Sequence, residues 1–192
     1  MLIISGLGNG KEIINSNIKT HVASSMLDYE HLKKKQPTNE LHLLIYDGLY
    51  IEKYLKDSIY FMNIHHIPIF FDGFNIHIFG EMKNSNYEDF SCPRCIIKQV
   101  REQYLTLNLY ATLFKRTDFY AFNYSCFNEE MHHFSSLLLE IISNKKITNR
   151  YLRYSLLNNL FFSEEFNGLS RCEACDKNTY SQDELFNYIK GL

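Results

Sequence analysis

The sequence predicts an α/β domain built on a mostly parallel β-sheet with flanking helices. Two observations carry that expectation. Residues 41–71 read as strand, helix and strand, the βαβ unit of parallel sheets, and a glycine-rich turn closes the first apolar run, at Gly6-Leu7-Gly8-Asn9-Gly10. A length of 192 residues suits a single domain spanning 1–192 with one buried core. Contents of 45% hydrophobic and 22% charged residues exclude a disordered or fibrous chain. A formal net charge of -2 supplies no basic footprint, so no nucleic-acid partner is expected.

In order along the chain, Leu2-Ile3-Ile4-Ser5 is a short strand running into the glycine turn. Lys11 to Asn39 is polar, and Lys33-Lys34-Lys35 with Pro37 marks an exposed helix end or loop. Leu41 to Tyr46 is almost continuously apolar, as a strand buried on both faces should be, and it ends at Asp47-Gly48. Ile51, Tyr54, Leu55, Ile59 and Met62 recur at three- and four-residue spacing, which predicts an amphipathic helix from about Tyr50 to Asn63. Ile67 to Phe71 is the next strand. After the Asp72-Gly73 turn, Phe74 to Phe79 alternates as a further strand, with His77 expected on a half-exposed face.

Glu81 to Ser91 reads as a loop. Ile97, Val100, Tyr104, Leu107 and Ala111 then predict a long helix over Ile96 to Phe114, whose basic end at Lys115-Arg116 suits the helix dipole. A second helix is expected over Asn128 to Ser143, with Asn128 as N-cap, Glu129 and Glu130 in the first turn, and Leu137, Leu138, Ile141 and Ile142 inward. Tyr151 to Phe162 is strand-like in composition with an ambiguous period. Cys172 to Leu192 reads as a cysteine knuckle and a short helix capped by Ser181, with Glu184 three residues on. No stretch approaches the roughly 18 apolar residues of a membrane helix. The N-terminus carries no basic leader or cleavage site, so no membrane partner and a cytoplasmic location are expected.

Four of the five cysteines form two Cys-x-x-Cys pairs, Cys92/Cys95 and Cys172/Cys175. Two intervening residues let one tight turn present both sulfurs to the same ion, and zinc takes four such ligands in a tetrahedron. The competing interpretation is a redox couple or unrelated thiols. A redox pair normally opens a helix beside an exposed surface, and one pair suffices for it, so two pairs favour zinc. Four thiolates leave no open position, which makes the expected ion a structural staple between distant segments. Cys126 is expected to be an inert buried thiol. His65-His66 and His132-His133 are adjacent pairs that point to different sides of an element, and they are expected to be structural or exposed.

From Leu41 onward the order of features resembles the ThiF/MoeB-type, ubiquitin-activating-enzyme-like fold, especially its degenerate McbB-type members among TOMM cyclodehydratase subunits. Strand Leu41 to Tyr46 ending in Asp47, a helix, and His66-Ile67-Pro68-Ile69 carry the likeness, with Cys92-Pro93-Arg94-Cys95 as first zinc knuckle and Cys172-Glu173-Ala174-Cys175 as the closing one. The resemblance implies a truncated Rossmann-like domain with a structural zinc site made of four cysteines. It implies a non-catalytic subunit of a complex that installs thiazole or oxazole rings in a ribosomally made, bacteriocin- or microcin-like peptide. A YcaO-type ATP-using cyclodehydratase, a flavin dehydrogenase, the precursor peptide and a second copy of the chain are the implied partners.

The glycine turn is where the chain departs from that family. Gly6 and Gly8 match its phosphate-binding turn, but Asn9 and Lys11 stand where two glycines are expected, and a phosphate-binding turn must let backbone approach the ligand. Lys11 to Glu40 is expected to be too short for a second βα unit with its acidic ribose-binding residue. Gly6, Gly8 and Asp47 are thus a degenerate nucleotide site, Asp47 matching a magnesium-associated Asp of active relatives, and no bound ATP is expected. Two other functions stay open: a ThiF-like adenylyltransferase acting on a peptide with a partner completing the ATP site, and a zinc-containing protein-interaction module.

Overall fold

A computed structural model describes residues 1–34, 40–61, 63–82, 92–103 and 123–166. The chain forms β1 (Leu2–Leu7), α1 (Gly10–Ile18), β2 (Ser24–Met26), α2 (Tyr29–Leu32), β3 (Leu41–Asp47), α3 (Ile51–Phe61), β4 (His66–Phe71), β5 (Asn75–Phe79) and α4 (Pro93–Gln103). A 3₁₀ turn over Tyr124–Phe127 leads into α5 (Asn128–Ser143), followed by β6 (Arg150–Ser155) and β7 (Phe161–Glu165). Among the described residues, one sheet holds seven strands in the order β2-β1-β3-β4-β5-β6-β7.

The sheet is mixed, which corrects the mostly parallel expectation. β2, β1, β3 and β4 run parallel, while β5, β6 and β7 add on antiparallel. The cause lies in the connections. A parallel neighbour needs a crossover of a dozen or more residues, but Asp72-Gly73-Phe74 is a tight turn in which the Asp72 carboxylate accepts from the Phe74 and Asn75 N–H groups. The Tyr151–Phe162 stretch of ambiguous period resolves into two strands, β6 and β7, joined by a short turn in which Asn159 takes φ +56°. Period-2 patterning is lost there because the turn itself contains leucines.

Helices cover both faces. Ile14 and Ile18 of α1 and Met131, Phe134, Leu138 and Ile141 of α5 pack on Ile4, Leu43, Ile45 and Ile69. Tyr29 of α2, Tyr54 and Phe61 of α3 and Ile96, Ile97 and Val100 of α4 pack on Leu44, Tyr46, Phe70 and Phe79. Consecutive residues of β3 therefore serve opposite cores, which is why that strand reads as a continuous apolar run. His77 is 4% exposed, not half-exposed. β6 flanks it, its Nδ1 meets the Tyr151 hydroxyl at 2.7 Å and its Nε2 meets Asp72 at 2.9 Å. Among the described strands β7 is the last in the sheet, and Phe161 and Phe162 on it are exposed.

Ser24–Met26 and Tyr29–Leu32 form a short second strand–helix unit, so the segment before Leu41 is not too short for one. α4 begins at Pro93, and the expected continuation to Phe114 lies outside the described residues. Asn128 is the first residue of α5, not its cap; the side chain that caps locally is that of Asn123, which accepts from the Ser125 N–H. Cys126 is exposed within the 3₁₀ turn, contrary to the buried-thiol expectation. Among the described residues, no helix is long and apolar enough to cross a membrane.

Candidate functional site

In an open α/β sheet, ligands bind outside the carboxyl ends of the strands where the order of connection reverses. Here that point lies between β1 and β3: α1 leads from β1 to β2 on one side, and the chain then returns past β1 to β3 on the other. The glycine turn and Asp47 meet at this crevice.

Gly6 takes φ +144°, and a Cβ on it would lie 1.7 Å from the Ile45 carbonyl oxygen. Gly8 takes φ +86°, and a Cβ there would lie 2.2 Å from the Asp47 Cβ. Both positions thus require glycine, for conformation and for space. Asp47, the last residue of β3, is 7% exposed. The Asn9 N–H donates to its Oδ2 at 3.2 Å, and the Tyr124 hydroxyl donates to its Oδ1 at 2.9 Å. Burial raises the Asp47 carboxyl above the ordinary value, opposed by the Tyr124 hydroxyl and the N–H groups of Asn9 and Gly10. Tyr124, itself buried, packs edge-on against Phe71 with ring centroids 5.1 Å apart. Lys11 folds back, its Nζ 3.2 Å from the Gly6 carbonyl oxygen.

The structure thus brings together Gly6, Gly8 and Asp47, and adds Tyr124, which sequence reasoning missed. Tyr124 is 77 positions from Asp47, and no local signal marks it. Asp28 follows β2 at the place where dinucleotide folds carry an acidic residue about 20 residues beyond the glycine turn. Its carboxylate caps α2, accepting from the N–H groups of Glu30 and His31, and these bonds hold its carboxyl below the ordinary value. An Asp directly before Tyr29–Leu32 is a preferred N-cap residue type, and that is the signal that could have found it.

Cys92 and Cys95 sit at the start of α4, with Pro93 as its first residue. Their sulfurs are buried and 3.6 Å apart. That separation approaches the edge, about 3.8 Å, of a tetrahedron with Zn–S bonds of about 2.3 Å. The pair therefore fits half of a four-thiolate site. A redox pair also opens a helix, but these sulfurs lack the exposed surface such chemistry uses. Cys172 and Cys175 lie outside the described residues. Among the described residues no group of three or more His, Cys, Asp or Glu side chains is gathered for a metal. His66 is buried and His65 half-buried, while His132 and His133 are exposed.

No protein-family model and no curated protein sequence matches the chain. Solved structures do match in fold. A chain of the E. coli microcin synthetase McbBCD complex superposes with a TM-score of 0.61 at 15% identity, over 91% of this chain and 67% of that one. The heterocyclase TruD superposes with a TM-score of 0.56 at 10% identity, over 91% of this chain and 27% of its own length. A heterocyclase in complex with substrate and cofactor gives 0.53 at 10% identity, over 91% of this chain and 24% of that one. At these identities the likeness is one of fold, and this chain spans about a quarter of each heterocyclase.

Proposed function

We propose that the chain is a non-catalytic subunit, stapled by zinc on Cys92, Cys95, Cys172 and Cys175, of a complex that installs azole rings in a ribosomally made peptide. The observation that carries this reading is the fold likeness over 91% of the chain to part of a microcin synthetase. The closed crevice at Asp47 supports the non-catalytic half of it, since the donors that would receive phosphate already face a carboxylate. The Cys92–Cys95 spacing supports the zinc half. A YcaO-type enzyme supplies the ATP chemistry, a flavin dehydrogenase belongs to the same cytoplasmic assembly, and this chain holds components in place.

Co-expression with a YcaO-type enzyme and a Cys/Ser/Thr-rich peptide tests the proposal. The expected outcome is co-elution of the chain with the enzyme and loss of water from the peptide, seen by mass spectrometry, only when this chain is present. A chain that elutes alone and exchanges pyrophosphate into ATP unaided would overturn it. Metal analysis of the freshly purified, reduced protein should find stoichiometric zinc that Cys92→Ser removes.

A further inference from the structure

In a doubly wound fold the first helix receives a phosphate because its leading N–H groups point at the ligand and its dipole favours negative charge. The corresponding place on α1 already holds a carboxylate. Asn9 N–H and Gly10 N–H both face Asp47, and the hydroxyl of Tyr124 donates to its other oxygen. The groups facing Asp47 are donors, which suits an ionised carboxylate, an acceptor only. The turn is moulded on this side chain, since the Cβ that Gly8 lacks would collide with Asp47 rather than with empty space. Lys11, the nearest cation on α1, is turned to the Gly6 carbonyl.

We infer that Asp47 is a built-in anion, which fills the phosphate position of the crevice and pins β3, the glycine turn and the Tyr124 turn ahead of α5 to one another. Asp47 as a whole residue is 7% exposed. To admit phosphate, it would have to leave the Asn9 N–H and the Tyr124 hydroxyl, and Tyr124 would have to leave its place against Phe71. An anion at this position is thus structural, supplied by the chain itself. The inference deepens the non-catalytic reading and rests on it for its biological sense. Its test uses stability and anion binding rather than complex formation, so either can fail alone.

The experiment is thermal unfolding of the full chain in inorganic phosphate and in chloride at matched ionic strength, together with ³¹P NMR of phosphate and of ATP with magnesium. The wild type should unfold at the same temperature in both salts and broaden neither phosphorus signal. Asp47→Ala should lose roughly 5–10 °C, as expected for removing a buried hydrogen-bonded charge from a domain of this size. It should then regain part of that loss saturably as phosphate fills the vacated position. An Asp47→Ala protein with no phosphate response would overturn the inference. If that variant does not fold, the wild type decides alone: saturable phosphate or ATP binding that Gly10→Pro abolishes, by removing a donor N–H, would equally overturn it.

Discussion

On the α1–α5 side of the sheet the buried side chains are mostly branched aliphatics, Ile4, Ile14, Leu43, Ile45, Ile69 and Leu138 among them. On the α2–α4 side half of them are rings, and several polar groups there bond one another. There the Tyr29 hydroxyl lies 3.0 Å from that of Tyr46 and donates to Asp57 at 2.9 Å. Asp57 also pairs with Lys33 and Lys53, each at 3.1 Å. His66, fully buried, has Nδ1 2.8 Å from the Ile64 carbonyl oxygen. A carbonyl can only accept, so Nδ1 carries the proton and Nε2 accepts from the Tyr54 hydroxyl at 3.0 Å. The difference teaches that one sheet can be held mainly by shape over one face, apart from the Tyr124–Asp47 bond at its edge, and by many directional bonds over the other. Aliphatic packing is indifferent to pH, whereas an imidazole buried neutral is not.

The largest expected effect lies on the aliphatic face. Ile45→Ala should cost roughly 2–5 kcal/mol, the range for a buried isoleucine that leaves a cavity. Urea unfolding should give the same cost at pH 7 and pH 5, and a cost that changes with pH would break the contrast. Next comes His66. Burial first, with the nearby His42 and His65 charges, lowers its pKa to about 4 from 6.5. The unfolded chain therefore takes up a proton on acidification before the folded one does. The stability His66 contributes is full above about pH 6.5 and is lost as pH falls toward about 4, amounting to about 3 kcal/mol. A His66→Phe protein should show a flatter stability curve across that window, and parallel curves for the two proteins would sink the assignment. The smallest effect is Tyr54→Phe, which takes the donor from a buried ring nitrogen and should cost about 1–3 kcal/mol at pH 7. The loss should be smaller in a His66→Phe background, and additive losses would mean that the two side chains do not act as a pair.

The β3–α3–β4 unit was legible because its periods are unmixed: six apolar residues in a row, nearly, then three- and four-residue spacing, then apolar residues again. β2 was not, because Ser24-Ser25-Met26 is too short and too polar to show a period, and its strand character comes from pairing with β1. The burial of His77 depends on Tyr151, 74 residues away, and so does the choice between a half-exposed and a covered face. The mixed sheet follows from one tight turn at Asp72, a signal present in the sequence but outweighed by the βαβ unit before it. At the crevice, Gly6, Gly8 and Asp47 were readable as a set. Their meaning was not, because Tyr124 enters from far along the chain and turns an Asp at a strand end into a bonded, buried group. For the thiolates, spacing singled out Cys92 and Cys95 as a pair of ligands, while their burial and closeness come from the start of α4 packing on the sheet and carry no local signal.

The contact between Gly8 and Asp47 bears on how glycine turns are read in other sequences. Such a turn after a first strand is ordinarily taken as the trace of a phosphate. Here the missing Cβ at Gly8 makes room for an aspartate of the same chain. A glycine at this position can therefore be required by backbone conformation and by space, whether or not a nucleotide ever enters the crevice. Counting glycines then reports what the turn must avoid, and only the residue facing it reports what the turn holds.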